Sequence, residues 1–533
     1  MSMRRSTYAV VTLLVLVVSA CTSASTSTEK GDGAVTVALA SFSREKLYPP
    51  AFDPGGLVYF GPMFDFLIGA SPDGRLSTET GALEAYEPNQ DASVWTLTLR
   101  AGMTWHDGEP VTSDDLAFTL REFGSPEATC AAVCATLQTN LAGIEIVDDR
   151  TVPMSLKEPD VTIPAKFGPI ESSIVLLPRH HVEKVGWDGF EKEPMGSGPW
   201  KFVSRQIGQS ITYTANREYW DPARQPGFDD LEIVLAPDQN TRLAMLRSGE
   251  ADLVAISPDA VPTAEDDGFD VLNIDNTIVS EILFAKSYDP GEMSHRLEFR
   301  KALALAIDMD EIVKAFYPSG TGERASGDAV PFSPNTLGHD PSLEPYPYDP
   351  DQAERLLEEA GYDGSTVKLW TVTFPDGPEQ REVDEAIAGF WSKVGVEVEL
   401  VPTEFGPLLE RLGSGNFDAP PIASVTAFPT SNRPSVLANF EPMMLSPEAG
   451  GRFRTYWDPA KLDAYHAEVS RIVDESARDE RLREINRELY DEYWSIPIAM
   501  KSTPYAAGPR IEGWQPISGV SKVLVYESLR PAP

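Results

Sequence analysis

Apolar and polar residues alternate along Val94–Leu99, with Trp95, Leu97 and Leu99 separated by Thr96 and Thr98. A period of two predicts a strand buried on one face. The pattern breaks at Gly102 and at the Asp107-Gly108 pair, both turn signals. It resumes at helical spacing, with Leu116, Leu120 and Phe123 on one face. Thr112 stands at the N-cap of that helix with Asp115 three residues on, a weak capping box. Upstream, Ala34–Ala40 is short, apolar and β-branched, which predicts a buried strand.

Later helices carry clearer signals. Phe299, Ala302, Leu303, Ala306 and Ile307 follow i, i+3, i+4, i+7, i+8. In "YDPDQAERLLEEAGY", Asp349 is placed to cap, Pro350 takes the first helical position and Gly361 falls just past the end. "WDPAKLDAYHAEVSRIVDES" repeats the Asp-Pro start at Asp458-Pro459, with an apolar stripe of Leu462, Tyr465, Val469, Ile472 and Val473. "LRSGEADLVAI" (Leu246–Ile256) and "RLGSGNFDAPPI" (Arg411–Ile422) share Ser-Gly-x-x-Asp. In each, a helix ends at a glycine (Gly249, Gly415), and a short step through Asp252 or Asp418 enters an apolar segment. A helix feeding a strand is an α/β unit, and its recurrence suggests two similar lobes.

Length and charge narrow this picture. A chain of 533 residues exceeds one core, so two or more domains are expected. Hydrophobic content of 42% suits a soluble globular protein. With 82 acidic against 44 basic residues the net charge is −38, which argues against nucleic acid as a partner. Arg4 and Arg5 precede the apolar run Ala9–Val18 and then Val18-Ser19-Ala20-Cys21, the layout of an export signal. The run is too short to span a bilayer stably. "TSASTSTEKGDG" follows as a polar tether. Beyond Cys21 only Cys130 and Cys134 remain. In an oxidising compartment they can form a local disulfide or stay a buried free pair. No metal site is expected from two cysteines without further ligands, and no cofactor is expected.

Two stretches carry a family resemblance. "VSAC" resembles the lipobox of bacterial lipoproteins, in which Cys21 receives a lipid and becomes the first mature residue. "WTLTLRAGMTWHDGEPVTSDDLAF" resembles the signature of the family 5 solute-binding proteins of ABC importers, the oligopeptide-, dipeptide- and nickel-binding lipoproteins. Trp95, Leu99, Arg100, Gly102, Trp105, Asp107, Gly108, Pro110, Thr112 and Asp115 fit that pattern. "GSGPWKF", "NREYWD", "LRSGEADLV", "FRKALALAID", "DPDQAERLLEEAGY" and "YWSIPIAM" are similar to further family stretches and fall in family order.

The resemblance implies an α/β, two-lobed, periplasmic-binding-protein-like fold of type II, with an extra subdomain on lobe one and a ligand cleft between lobes. Residues 1–20 are then a lipoprotein signal peptide, 21–33 a tether, 34–276 lobe one with the subdomain at about 70–190, 277–508 lobe two, and 509–533 a return to lobe one. The implied protein is a lipid-anchored monomer outside the cytoplasmic membrane, with permease subunits as partners and a peptide or peptide-like ligand. It is not an enzyme. Its signature segment is architectural, so His106 and Asp107 are not an acid/base pair.

Ligands of open α/β sheets bind beyond the carboxyl ends of strands. That rule selects Ser41 and Phe42 after the first strand, Thr373 and Phe374 after "TVKLWTV", and Thr426, Phe428, Asn432 and Arg433 after Asp418. The aromatics can equally be core residues, and Arg433 a solvated charge. One departure from the family stands out. Aligning Gly415, Phe417 and Asp418 puts Ser424 at a family Trp and Ala427 at the Asp that pairs with a peptide's α-amino group, while Ala285 replaces a common Asn. Alanine cannot pair with an ammonium. Another carboxylate serves, or the ligand is a sugar, metal chelate or other non-peptide solute.

A hydrolase is the rival class. "SREK" (Ser43–Lys46) matches Ser-x-x-Lys without an accompanying Lys-Thr-Gly. The adjacent His180 and His181 would point about 100° apart on a helix, a poor chelate. A solute-sensing receptor needs the same closing cleft as an importer.

Overall fold

The structure, a computed structural model, describes residues 33–51, 54–130, 132–169, 174–372, 379–417, 424–431, 435–449, 451–455 and 458–533. The predicted Cys21 anchor lies outside them. An eleven-stranded mixed sheet forms the backbone of the molecule. From one edge its strands are Val398–Thr403, Val367–Val372, Ser424–Ser431, Asp270–Ala285, Ser495–Ala507, Leu253–Ala255, Ala34–Leu39, Asp230–Leu235, Ser210–Ala215 and Trp200–Gln206. Gly322–Arg324 pairs with Ser495–Ala507 off this path.

Each half of the sheet has a parallel centre. Ala34–Leu39 runs parallel to both neighbours, and so does Val367–Val372. Parallel pairs need crossovers, supplied here by helices such as Gln239–Ser248 and Phe405–Ser414. Both of these helices end on a glycine in the left-handed region, Gly249 at φ 74° and Gly415 at φ 69°. The repeated Ser-Gly-x-x-Asp motif therefore marks a helix stop that residues with a Cβ adopt only with strain.

The two long strands, Asp270–Ala285 and Ser495–Ala507, are buried on both faces along Val279–Ala285 and Ser495–Lys501, as a helix-covered sheet requires. Ile282 and Phe284 face one core, with Phe299, Leu303, Ile387 and Trp391. Their neighbours Leu283 and Ala285 face another. The Asp-Pro helices start as their sequences predict. Asp349 accepts from Gln352 N–H (2.8 Å) and Asp458 from Lys461 N–H (3.1 Å). The second helix is shorter than its apolar stripe. It spans Pro459–Val469, leaving Ile472 and Val473 beyond its end. Asp474 has already capped the next helix, Glu475–Asp491, by accepting from Ala477 N–H (2.8 Å).

A separate four-stranded antiparallel sheet orders Leu83–Pro88, Val94–Leu99, Thr151–Leu156 and Leu141–Ile144. Its Val94–Leu99 strand buries Trp95, Leu97 and Leu99, as the alternation predicts. Cys130 and Cys134 form a disulfide at the start of the helix Ala132–Asn140. The C-terminal stretch packs on early residues: Tyr526 Oη donates to Val58 O (2.8 Å), and Arg510 pairs with Asp252 (3.2 Å).

Candidate functional site

Strand direction locates the site. The carboxyl end of Leu253–Ala255 lies at Ala255, opposite Tyr505, and Tyr505 in turn faces Leu272. The carboxyl end of Ser424–Ser431 lies at Ser431, opposite Ile278. The ends of both parallel centres therefore point at one stretch of the long strand, Leu272–Ile278. Ligands of open α/β sheets bind at such ends.

That stretch is also the narrowest part of the sheet. Ser495–Ala507 pairs on its outer side with Gly322–Arg324 through Lys501 and with Leu253–Ala255 from Tyr505 on. Between them, around Ser502–Pro504, the described sheet is two strands wide. The register breaks at the same place. Ile274 faces Thr503 and Ile278 faces Lys501, so three residues on one strand oppose one on the other. Asn276 absorbs the bulge at φ 56°, a region asparagine tolerates better than most side chains. Thr277 Oγ1 donates to Lys501 O (3.0 Å) and fastens the irregularity. A bulged stretch only two strands wide is a place where a few residues can absorb a φ/ψ change.

Polar groups gather on the neck. Lys501 pairs with Glu379 (2.6 Å), and both are largely buried. Asp384 accepts from Thr371 Oγ1 and from Gln380 Nε2 (2.8 Å), and Gln380 Oε1 accepts from Ser280 Oγ (3.2 Å). Burial pushes Asp384 up to about 7 against the pull of those donors and of Lys501. Sequence reading missed this group because its members are distant in the chain, and its only local signal was the position of Glu379 and Gln380 at a helix start.

The residues selected from sequence divide into three sets. Ser41 is exposed and its hydroxyl accepts from Ser43 N–H (3.0 Å). Phe42 is 2% exposed and packs against Tyr59 at 5.5 Å between centroids. Thr426 and Phe428 sit on the Ser424–Ser431 strand, at the register positions opposite Leu283 and Glu281. Thr373, Phe374, Asn432 and Arg433 lie outside the described residues, as does Asp418. Ala285 pairs with Ser424 and is buried among apolar side chains.

The signature segment organises structure around Asp115. Its carboxylate accepts from Thr112 N–H (3.0 Å) and from Arg179 N–H (3.0 Å). Asp107 bonds His180 (2.8 Å), not its neighbour His106. His106 is half-buried, held between Gly198 O (3.0 Å) and Gly196 N–H (3.4 Å). A carbonyl can only accept and an amide only donate, so the neutral Nε2–H tautomer satisfies both. Burial pulls His106 down to about 4. In the unfolded chain it titrates near 6.5. Stability should therefore fall as pH drops from about 6.5 to about 4, because the unfolded state takes up the proton first. His106→Gln should flatten this acid limb by on the order of 2–3 kcal/mol. An acid limb equally steep in the variant, followed by urea midpoints at pH 7 and pH 4.5, would contradict that assignment.

A cavity of about 330 Å3 opens between distant parts of the chain. One wall carries Arg75, Leu76 and Tyr86 from around the four-stranded sheet. The other carries Leu337 and His339 from the 326–342 segment and Arg478 from the helix Glu475–Asp491. Asn335 Nδ2 donates to Ser518 Oγ (3.2 Å) beside it, a contact between the same two sides. No sequence signal pointed to this cavity, since its walls meet only in the fold. Among the described residues, no group of three or more His, Cys, Asp or Glu is placed to hold a metal ion.

Comparison with known proteins agrees with this architecture. Residues 78–437 match the family "Bacterial extracellular solute-binding proteins, family 5 Middle". Heme-binding protein A of Haemophilus influenzae is 26% identical over 467 residues, covering 83% of this chain and 82% of that protein. The dipeptide-binding protein of Escherichia coli is 26% identical over 388 residues, covering 68% and 70%. Among solved structures, the ABC transporter substrate-binding protein CtaP of Listeria monocytogenes superposes with a TM-score of 0.78 at 22% identity, covering 94% of this chain and 99% of that one.

Proposed function

The chain belongs to the bacterial extracellular solute-binding proteins of family 5, and from that premise we propose that it is the binding subunit of an ABC importer, which captures a peptide or peptide-like small molecule and delivers it to the membrane permease. One observation carries this reading. The carboxyl ends of two parallel strand sets converge on a bulged neck two strands wide.

In this reading residues 34–276 and 277–508 are lobes that close about the neck, with residues 509–533 returning to lobe one. A solute held between strand ends touches both lobes only when they are shut. Its differential affinity for the shut form shifts the equilibrium, and the permease reads the shut form. A micromolar ligand needs about −8 kcal/mol, within reach of a few apolar contacts and hydrogen bonds. Ser41, Thr373, Phe374, Thr426, Phe428, Asn432 and Arg433 are the proposed wall. Arg433 offers a planar fork for a carboxylate. The step is binding and release, without covalent chemistry.

A second reading concerns the ligand alone. Ala427 stands where peptide-binding members place the Asp that pairs with a peptide's α-amino group, and Ala285 where they commonly have Asn, so a non-peptide solute fits as well. The two relatives named above are called heme- and dipeptide-binding, and one fold carrying such different ligands leaves the choice to side chains.

Mass spectrometry tests the reading. Protein purified from its native host and then denatured should release a discrete solute in near-stoichiometric amount. The intact mature chain should begin at Cys21 and carry a diacylglycerol. Absence of any released compound, together with an unchanged radius of gyration across a solute screen, would sink the importer reading. An unacylated N-terminus would remove the lipid anchor.

A further inference from the structure

The cavity between the four-stranded sheet and the 326–342 segment holds an arginine prepared for a ligand. Arg478 is 9% exposed. Its Nη1 donates to Ile472 O (2.8 Å) and Val473 O (3.4 Å), carbonyls of the link between the helices Pro459–Val469 and Glu475–Asp491. Those two bonds fix the plane of the guanidinium. They occupy only Nη1. Nε and Nη2 make no hydrogen bond among the described residues, and the nearest carboxylate, Glu475, stands 3.9 Å from Nη2 with its side chain 75% exposed. The Nε–Nη2 edge is one of the two on which a guanidinium grips a carboxylate with parallel hydrogen bonds. Burial pulls Arg478 below its ordinary value, so an anion would offset a desolvation cost already incurred.

Of the other charges in the cavity, Arg483 is paired with Asp479 (2.8 Å), Arg75 stands in a loose exposed pair with Asp73 (3.6 Å), and Glu475 is the exposed carboxylate that an anionic ligand would displace from Arg478. His339 adds a second group. Its Nδ1–H donates to Asp328 (2.7 Å), and Nε2, without a partner among the described residues, donates to an anion in the protonated ring that Asp328 favours. Between these groups the walls are mixed, with Leu76, Leu337, Leu437 and Leu482 as an apolar patch beside Thr162, Asn335 and Thr336. The volume of about 330 Å3 suits a molecule the size of a short peptide.

Resting on the solute-binding reading above, we infer that this cavity receives the carboxylate end of a solute with an apolar body, gripped side-on by Arg478, with His339 as the second contact. The leucine patch takes the body, and the fixed guanidinium sets its orientation. Specificity then comes from the acid end. A matched ligand lacking the carboxylate leaves a buried cation unpaired, and that penalty is what discriminates.

The test uses N-acetyl-leucyl-leucine and its C-terminal amide as probes, measured by calorimetry on the full mature chain. The acid should bind at least tenfold tighter than the amide. Arg478→Lys keeps a donor for the Ile472 and Val473 carbonyls but has no fork. It should cut the preference severalfold, since an ammonium still attracts the acid but not through parallel bonds, while the ligand-free urea midpoint stays at the wild-type value. His339→Gln should narrow the preference. Equal affinity for acid and amide, or a preference undiminished in Arg478→Lys, overturns the assignment. So does failure of both probes to bind wild type. If a native solute is nevertheless released on denaturation, the solute-binding reading stands and only this assignment falls. If nothing is released, the wider reading falls with it.

Discussion

Asp328→Ala should lower the unfolding free energy of the ligand-free protein by about 3–5 kcal/mol. The Asp328 side chain is fully buried and takes four donors. Asn486 Nδ2 (2.7 Å) and Asp340 N–H (3.0 Å) reach Oδ1, and Ser326 Oγ (2.7 Å) and His339 Nδ1 (2.7 Å) reach Oδ2. Asn486 Oδ1 accepts from Ala329 N–H (2.9 Å), so one network pins the 326–342 segment to the helix Glu475–Asp491. Deleting the carboxylate strands all four donors, and each buried orphan costs about 1–3 kcal/mol before relaxation. An unchanged urea midpoint in this variant would show that the network is ornamental.

The same network has a pH signature. Burial pushes the Asp328 carboxyl up, but the His339, Asp340 and Ser326 donors outweigh it and hold it below its ordinary value. The Asp328 hydrogen bond raises His339, against the effect of burial. A raised histidine stabilises fully below its unfolded value of about 6.5, and that share fades as pH climbs through the folded value. A depressed carboxyl stabilises above about 3.9 and loses its share as pH falls through its folded value. The clamp is therefore strongest between about pH 4 and 6.5. On the alkaline side it acts in the opposite sense to His106, whose contribution is complete above about 6.5.

Trp391→Ala should cost about 3–5 kcal/mol. The indole is 0% exposed, and its Nε1–H donates to Leu303 O (2.9 Å) on a neighbouring helix. Truncation removes the largest side chain of that core and leaves a void that packed surroundings fill only in part. It also leaves a carbonyl without its donor. Trp391→Phe keeps most of the volume and should cost about 1–2 kcal/mol. The tryptophan belongs to the helix Gln380–Lys393, whose first turn carries Gln380 and Asp384 at the neck. Loss of the anchor should therefore also raise hydrogen exchange in that first turn. A midpoint shift below that of Trp391→Phe would show that the core refills.

Local features were legible in the sequence, and features assembled over distance were not. The Val94–Leu99 alternation, the Asp349 and Asp458 caps and the paired glycines Gly249 and Gly415 are set by neighbours a few residues apart, so pattern and structure agree. The stripe past Val469 failed because Ile472 and Val473 are apolar at helical spacing yet lie in a turn. A competing cap at Asp474 decided that boundary, not periodicity. Phe42 shows the limit of reading sites from strand ends, since it follows a strand and still packs inward on Tyr59. Arg478 shows the converse. In sequence it is one of several arginines on a charged helix, and only the two carbonyls that fix its plane distinguish it.

The Ser495–Ala507 strand occurs late in the chain yet sits in the middle of the sheet, between Asp270–Ala285 and Leu253–Ala255. Neither half of the sheet can be completed while that strand is still inside the ribosome. The nascent polypeptide must wait, with the flank of a long buried strand uncovered, for almost its whole synthesis. Such a molecule is slow to acquire its native pairings. The topology itself postpones folding until translation is nearly done.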